Sequence, residues 1–142
     1  MDDNWIREVW LRCKHNDCLL VVDEAYVEFS NSISYDCLAR RDNNIIVLKT
    51  LSKGFGSAGV RVGYTVASQN NSMLLNNVKN LNDISSFAIK WIETISEYKD
   101  QFHQYFNLVK EHRANILSEL DANGYSYISS DSNFLNVFDF NL

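Results

Sequence analysis

The sequence predicts an α/β fold, a mainly parallel sheet with helices, followed by the start of a small α+β unit. Two short apolar runs, residues 18–22 and 45–48, each give way abruptly to polar residues. That is the pattern of strands buried on both faces of a parallel sheet. The second half then changes character, with long helical periodicity followed by two short alternating runs.

Taken in order, residues 5–13 place Trp5, Ile6, Val9 and Trp10 on one helical face. Residues 18–22 form the first strand, with Asp23 and Glu24 at its carboxyl end, and residues 35–40 allow a brief helix. Residues 45–48 are the second strand and residues 63–67 the third. Helices are expected over residues 72–81 and 85–95. From Trp91, the positions Ile95, Tyr98, Phe102, Tyr105, Val109, Ile116 and Leu120 form one helical stripe. The stripe suits a helix packed on a sheet or neighbouring domain, with a coiled coil as the alternative. Asn123-Gly124 supplies a left-handed stop, and residues 125–128 and 134–138 alternate like strands. Residues 1–95 are therefore expected to form part of a large domain. Residues 96–142 would be the interdomain helix and the beginning of a small one.

The chain has 142 residues, 46% of them hydrophobic, enough for one modest core. Its net charge of -5 speaks against a nucleic-acid partner, which needs a basic face. No apolar run is long enough to span a membrane, and Met1-Asp2-Asp3 does not open a signal peptide. Three cysteines, an odd number with no secretion signal, point to reduced thiols in a cytoplasm-like compartment. Cys13, His15 and Cys18 lie close together but lack a second ligand pair at zinc spacing, so no metal is expected.

In open α/β sheets, ligands bind beyond the carboxyl ends of the strands. Two reactive side chains fall there: Asp23 after the first strand and Lys53 after the second. Taken alone, Asp23 would also serve as a helix cap, Lys53 as a solvated surface lysine and Tyr26 as a core ring. Each sits in a longer motif, however. The stretch Val21-Val22-Asp23-Glu24-Ala25-Tyr26-Val27-Glu28-Phe29 resembles the aspartate segment of the histidinol-phosphate aminotransferases. These are fold-type I, class I/II enzymes dependent on pyridoxal 5′-phosphate (PLP). The stretch Thr50-Leu51-Ser52-Lys53-Gly54-Phe55-Gly56-Ser57-Ala58-Gly59-Val60-Arg61-Val62-Gly63-Tyr64 resembles their cofactor-lysine segment. The resemblance is strong over residues 19–67 and weaker but colinear over residues 72–140, including Asp131-Ser132-Asn133-Phe134-Leu135.

The resemblance implies a partial fold-type I large domain and PLP as cofactor. It implies Lys53 as the catalytic amine that condenses with the cofactor's aldehyde, and Asp23 as partner of the protonated pyridine nitrogen. Tyr26 would bond the ring hydroxyl, while Thr50, Ser52 and Arg61 would hold the phosphate, for which a guanidinium fork is well suited. Substrates would be an amino donor and a 2-oxo acid acceptor, with histidinol phosphate and 2-oxoglutarate, in histidine biosynthesis, as the leading pair. A threonine-phosphate-decarboxylase-like enzyme and an inactive fragment are the alternatives. The full-length form would be a homodimer. Glu24 and Glu28 are expected to be surface or packing residues, and Asn133 carries no assigned role.

Two departures stand out. Family chains are much longer. The resemblance therefore implies that a phosphate-binding turn, a ring-stacking aromatic and the arginine for the substrate's carboxyl-side group lie outside these residues. The 142 residues alone are expected to bind PLP weakly and transaminate little. In addition, the family's Pro-Tyr-Asn-like segment is replaced near residues 78–86, where Asn82 or Asp83 with Ser85 keeps some polarity without a proline.

Overall fold

The computed structural model describes residues 3–79 and 84–138. The sequence places α1 at Asp3–His15, β1 at Leu20–Asp23, α2 at Asp36–Ala39 and β2 at Ile45–Thr50. Next come β3 at Gly63–Val66, α3 at Gln69–Val78, α4 at Ser86–Glu97 and α5 at Lys99–Ala122. Strands β4 (Ser126–Ile128) and β5 (Asn136–Phe138) follow. Leu81, Asn82 and Asp83 of the expected helix end and polar segment lie outside the described residues.

One sheet has the order β1-β2-β3. Strands β1 and β2 run parallel, with Leu20 opposite Ile45 and Asp23 opposite Leu48. Strand β3 is antiparallel to β2, with Val47 opposite Val66 and Thr50 opposite Gly63. The alternation of side chains along a strand sets the two faces. Leu20, Val22, Ile45, Val47 and Val66 share the face that packs with Ile6 and Trp10 of α1 and Leu38 and Ala39 of α2. A basic last turn (Arg12, Lys14, His15) complements the carboxyl end of α1. Asp17 then reverses the chain at φ 51°, and the Cys18 amide donates to the Cys13 carbonyl at 2.8 Å. This is the 6→1 bond of a Schellman-type stop.

Burial on both faces was expected of the first strand. Instead, Leu19 and Val21 are about half exposed. Among the described residues, only the α1/α2 side of β1 is well covered, so its pattern is one-sided.

A second core joins Leu51 and Val62 to Ala88 and Ile95 of α4, with Phe55, Trp91 and Phe102 packed against it. Ser68 and Ser85 cap α3 and α4 by accepting from the amides of Asn71 and Ala88, so both helices begin where a hydroxyl can satisfy an orphan donor. The expected single stripe from Trp91 breaks at Tyr98, which ends α4 and precedes α5. Its centre of burial is also displaced. Phe106, outside the stripe, is the buried residue of α5, while Tyr105 and Ile116 are about half exposed. Phe106 meets the edges of Phe29 and Phe55 at ring-centroid distances of 6.1 and 5.4 Å, the geometry aromatic rings prefer. Helix α5 ends as anticipated, with Gly124 at φ 71° and the Tyr125 amide bonded to Leu120. The antiparallel β4–β5 pair follows.

Candidate functional site

Because β1 and β2 are parallel, their carboxyl ends lie at one edge of the sheet, and both expected chemical groups project from it. Asp23 closes β1 on the face opposite Val22, next to exposed Val21. Its Oδ1 accepts from the Ala25 amide at 2.9 Å, so the carboxylate shapes the turn that follows. Three residues on, Tyr26 turns its ring toward the edge. Lys53 Nζ, carried by the loop after β2, stands 5.5 Å from the centre of that ring, a cation–π contact. Asp23 and Tyr26 share a cavity of about 500 Å³ with Ser130, Ser132 and Phe134 from the carboxyl-terminal segment. Lys53 is not among the residues lining that cavity and meets it through the Tyr26 ring. Phe134 packs edge-on against Tyr26 at 5.6 Å.

The loop from Thr50 to Arg61 is built to stay tight. Thr50 Oγ1 accepts from the Ser52 amide at 3.1 Å and donates to the Val62 carbonyl at 3.3 Å. Thr50 therefore holds the turn that carries Ser52 and Lys53, and its hydroxyl is already engaged. A side chain on Gly54 would meet Glu28 Cγ at 2.9 Å, so only glycine lets the loop pass so close to the 24–29 segment. Arg61 is exposed and sits at φ 59° in the left-handed region, where a non-glycine residue costs about 1–2 kcal/mol. Among the described residues it makes no ion pair. Of the six expected site residues, Tyr26 meets Lys53 through its ring and lines a cavity with Asp23, and Thr50 is bonded to Ser52. Arg61 stays apart from them, exposed at the surface.

Behind this edge lies a network that the sequence reading missed. Lys49 follows Ile45 and Val47 on the buried face of β2, and its side chain is only 8% exposed. Its ammonium lies 3.3 Å from Glu24 and 3.1 Å from Asp36, and it donates to Ser34 Oγ at 3.1 Å. Glu24, expected at the surface or in simple packing, is buried. It also accepts from the Ser34 hydroxyl and the Tyr35 amide, each at 2.7 Å. Burial works against the charge on Lys49, but the Asp36 and Glu24 carboxylates outweigh it and hold its pKa above the usual lysine value. Burial also raises the pKa of Glu28, one of whose carboxylate oxygens is buried without a hydrogen-bond partner. The network locks Glu24 inward, which turns its neighbour Asp23 outward to the edge. The signal was available in the sequence: a lysine two residues beyond a buried valine on a strand must share its face and needs carboxylates there.

This donor set is chemically suited to PLP: an amine for an aldehyde, a carboxylate for a cationic ring nitrogen, a phenol, and a hydroxyl with a guanidinium for phosphate.

Comparison with known proteins bears on the same chemistry. Residues 2–141 match the model of the family described as aminotransferase class I and II. A histidinol-phosphate aminotransferase of Thermoanaerobacter sp. is 40% identical over 124 residues, covering 84% of this chain and 34% of that protein. The crystal structure of histidinol-phosphate aminotransferase from Sinorhizobium meliloti, in complex with pyridoxal-5′-phosphate, superposes with a TM-score of 0.73. It is 25% identical and the match covers 84% of this chain and 33% of that one. An L-threonine-O-3-phosphate decarboxylase from Porphyromonas gingivalis shares the fold at a TM-score of 0.77 and 19% identity, over 93% of this chain and 41% of that one. The chain spans about a third of the length of the curated relatives it matches. With nearly every residue inside the family match and a sheet edge that carries the expected groups in order, the chain belongs to the class I and II aminotransferases.

Proposed function

We propose that this chain forms the cofactor-lysine segment of a PLP-dependent aminotransferase acting on histidinol phosphate and 2-oxoglutarate, in a full-length homodimer. The observation that carries this is the shared edge: Asp23 and the Lys53 loop leave parallel strands on the same side, with Tyr26 between them. When bound, PLP supplies an aldehyde and an electron-withdrawing ring. Lys53 would supply the amine for that aldehyde and the base that holds or moves a proton at the substrate Cα. Asp23 would pair with the protonated ring nitrogen, and Tyr26 would bond the ring hydroxyl. Ser52 and Arg61 would hold the phosphate, on a loop whose turn Thr50 keeps in place. Arg61 supports this reading, since a side chain is kept at a backbone position that favours glycine and the residue is exposed. Residues 96–142 would begin the small domain, whose Phe134 already leans on Tyr26.

The histidinol-phosphate preference rests on the named relatives. A threonine-phosphate-decarboxylase-like enzyme is the second reading, in which a phosphorylated amino acid in place of histidinol phosphate loses its carboxylate as carbon dioxide. The test is to incubate the chain with excess PLP, reduce with borohydride and map the product by mass spectrometry. A phosphopyridoxyl group on Lys53, absent in Lys53→Ala, is expected. A label on another lysine, or none, overturns the assignment. Release of carbon dioxide without transfer to 2-oxoglutarate would select the decarboxylase.

A further inference from the structure

The stop at the end of α1 brings together two thiols that the reading above does not use. The Cys18 amide donates to the Cys13 carbonyl at 2.8 Å across the left-handed Asp17. With standard bond lengths, that one hydrogen bond limits the separation of the two Cα atoms to about 6.7 Å. Disulfides need roughly 4.4–6.8 Å. The 6→1 stop also tends to set the side chains of its first and last residues against each other. Cys13 is half-buried and Cys18 exposed. The Cys18 thiol lies 3.4 Å from the Asn16 carbonyl, a weak contact that a side-chain rotation releases. The backbone on the Cys18 side is anchored, because Asn44 donates to the Cys18 carbonyl and the Leu20 amide donates to the Asn44 carbonyl.

We infer that Cys13 and Cys18 are a peroxide-oxidisable dithiol that closes to an intrachain disulfide across the α1 stop. Exposed Cys18, as thiolate, attacks hydrogen peroxide. Its sulfur takes a hydroxyl, the O–O bond breaks and the other oxygen leaves as water after protonation. The Cys13 thiolate then attacks that sulfur, the S–S bond forms and the hydroxyl departs as a second water. Two thiols are oxidised and one peroxide is reduced.

The test uses the intact chain carrying Cys37→Ser, which removes the other exposed thiol. Peroxide is added in native buffer and, separately, in concentrated urea. Closure is followed by loss of alkylatable thiol and by the mass of the peptide joining Cys13 to Cys18. Native closure is expected to be first order in protein and about tenfold faster than in urea, because the fold holds the ends together. Asp17→Gly, which keeps the left-handed turn, should retain the native advantage. Asp17→Val, which opposes it, should lose the advantage. Equal rates in buffer and urea overturn the inference, as does a covalent dimer. Oxidation of Cys18 to sulfinic acid with Cys13 still alkylatable overturns it too.

Discussion

Lys49 and Arg61 show how far single residues depart from their usual roles here. Lys49 is buried between two carboxylates, and removing one partner of a buried pair leaves the other uncompensated. Lys49→Met is expected to destabilise the chain by about 3 kcal/mol, and adding Glu24→Gln to recover part of that, as measured by urea midpoints. If the double variant is as unstable as the single one, the loss comes from packing and not from charge. Arg61→Gly relieves a left-handed backbone and removes a phosphate ligand. Stability should hold or rise by up to about 1 kcal/mol, while the PLP concentration needed for half-labelling of Lys53 rises about tenfold. An unchanged labelling curve would take Arg61 out of the phosphate site. Asp42 supplies a pH signature. Its bond to Lys14, at 2.5 Å, holds its pKa below the usual aspartate value. The resulting stability is fully present above about pH 4 and is lost as pH falls through the depressed folded value. Asp42→Asn should flatten the stability profile in that acid window and leave it unchanged in shape near neutrality. The placement of Asp23 and Lys53 beyond the carboxyl ends of two strands was legible because apolar runs stop just before them. Glu24 was not, because its burial depends on a lysine and a hydroxyl contributed by other segments.

At the level of elements, the strands were legible where apolar runs ended abruptly, as at Val22 and Leu48. The bounds shifted where hydrogen bonding outlasted hydrophobicity, so β2 continues through Lys49 and Thr50. The long stripe misled for a physical reason. A three-four repeat records which residues could share a face, but Tyr98 interrupts the helix, and the rings of Phe29 and Phe55 choose Phe106 as their partner. Phe106→Ala should therefore cost about 3–5 kcal/mol. Ile116→Ala, at a half-exposed position of the same helix, should cost much less. Equal losses in thermal or urea unfolding would restore the stripe as the core seam.

Across the whole molecule, Asp23, Lys53 and Arg61 are all exposed, so each would meet a ligand partly through water, where charge pairing is weak. Titration of the 142-residue chain with PLP is expected to give affinity weaker by orders of magnitude than a closed pocket would, with little transfer to 2-oxoglutarate. Tight stoichiometric binding with steady turnover would refute this. The fold class was legible because strand order and motif order agree. The openness of the Val21 face was not, since an apolar strand reads the same whether or not a neighbour covers it. The parallel pairing of β1 with β2 has a kinetic consequence as well. Leu20 must find Ile45 across an intervening helix, whereas β4 and β5 join through a short connection. Closing the longer loop has the greater entropic cost and is expected to set the slow step of folding. Asp23 and the Lys53 loop therefore come together only after that step, and a ligand needing both should slow unfolding while leaving the folding rate unchanged.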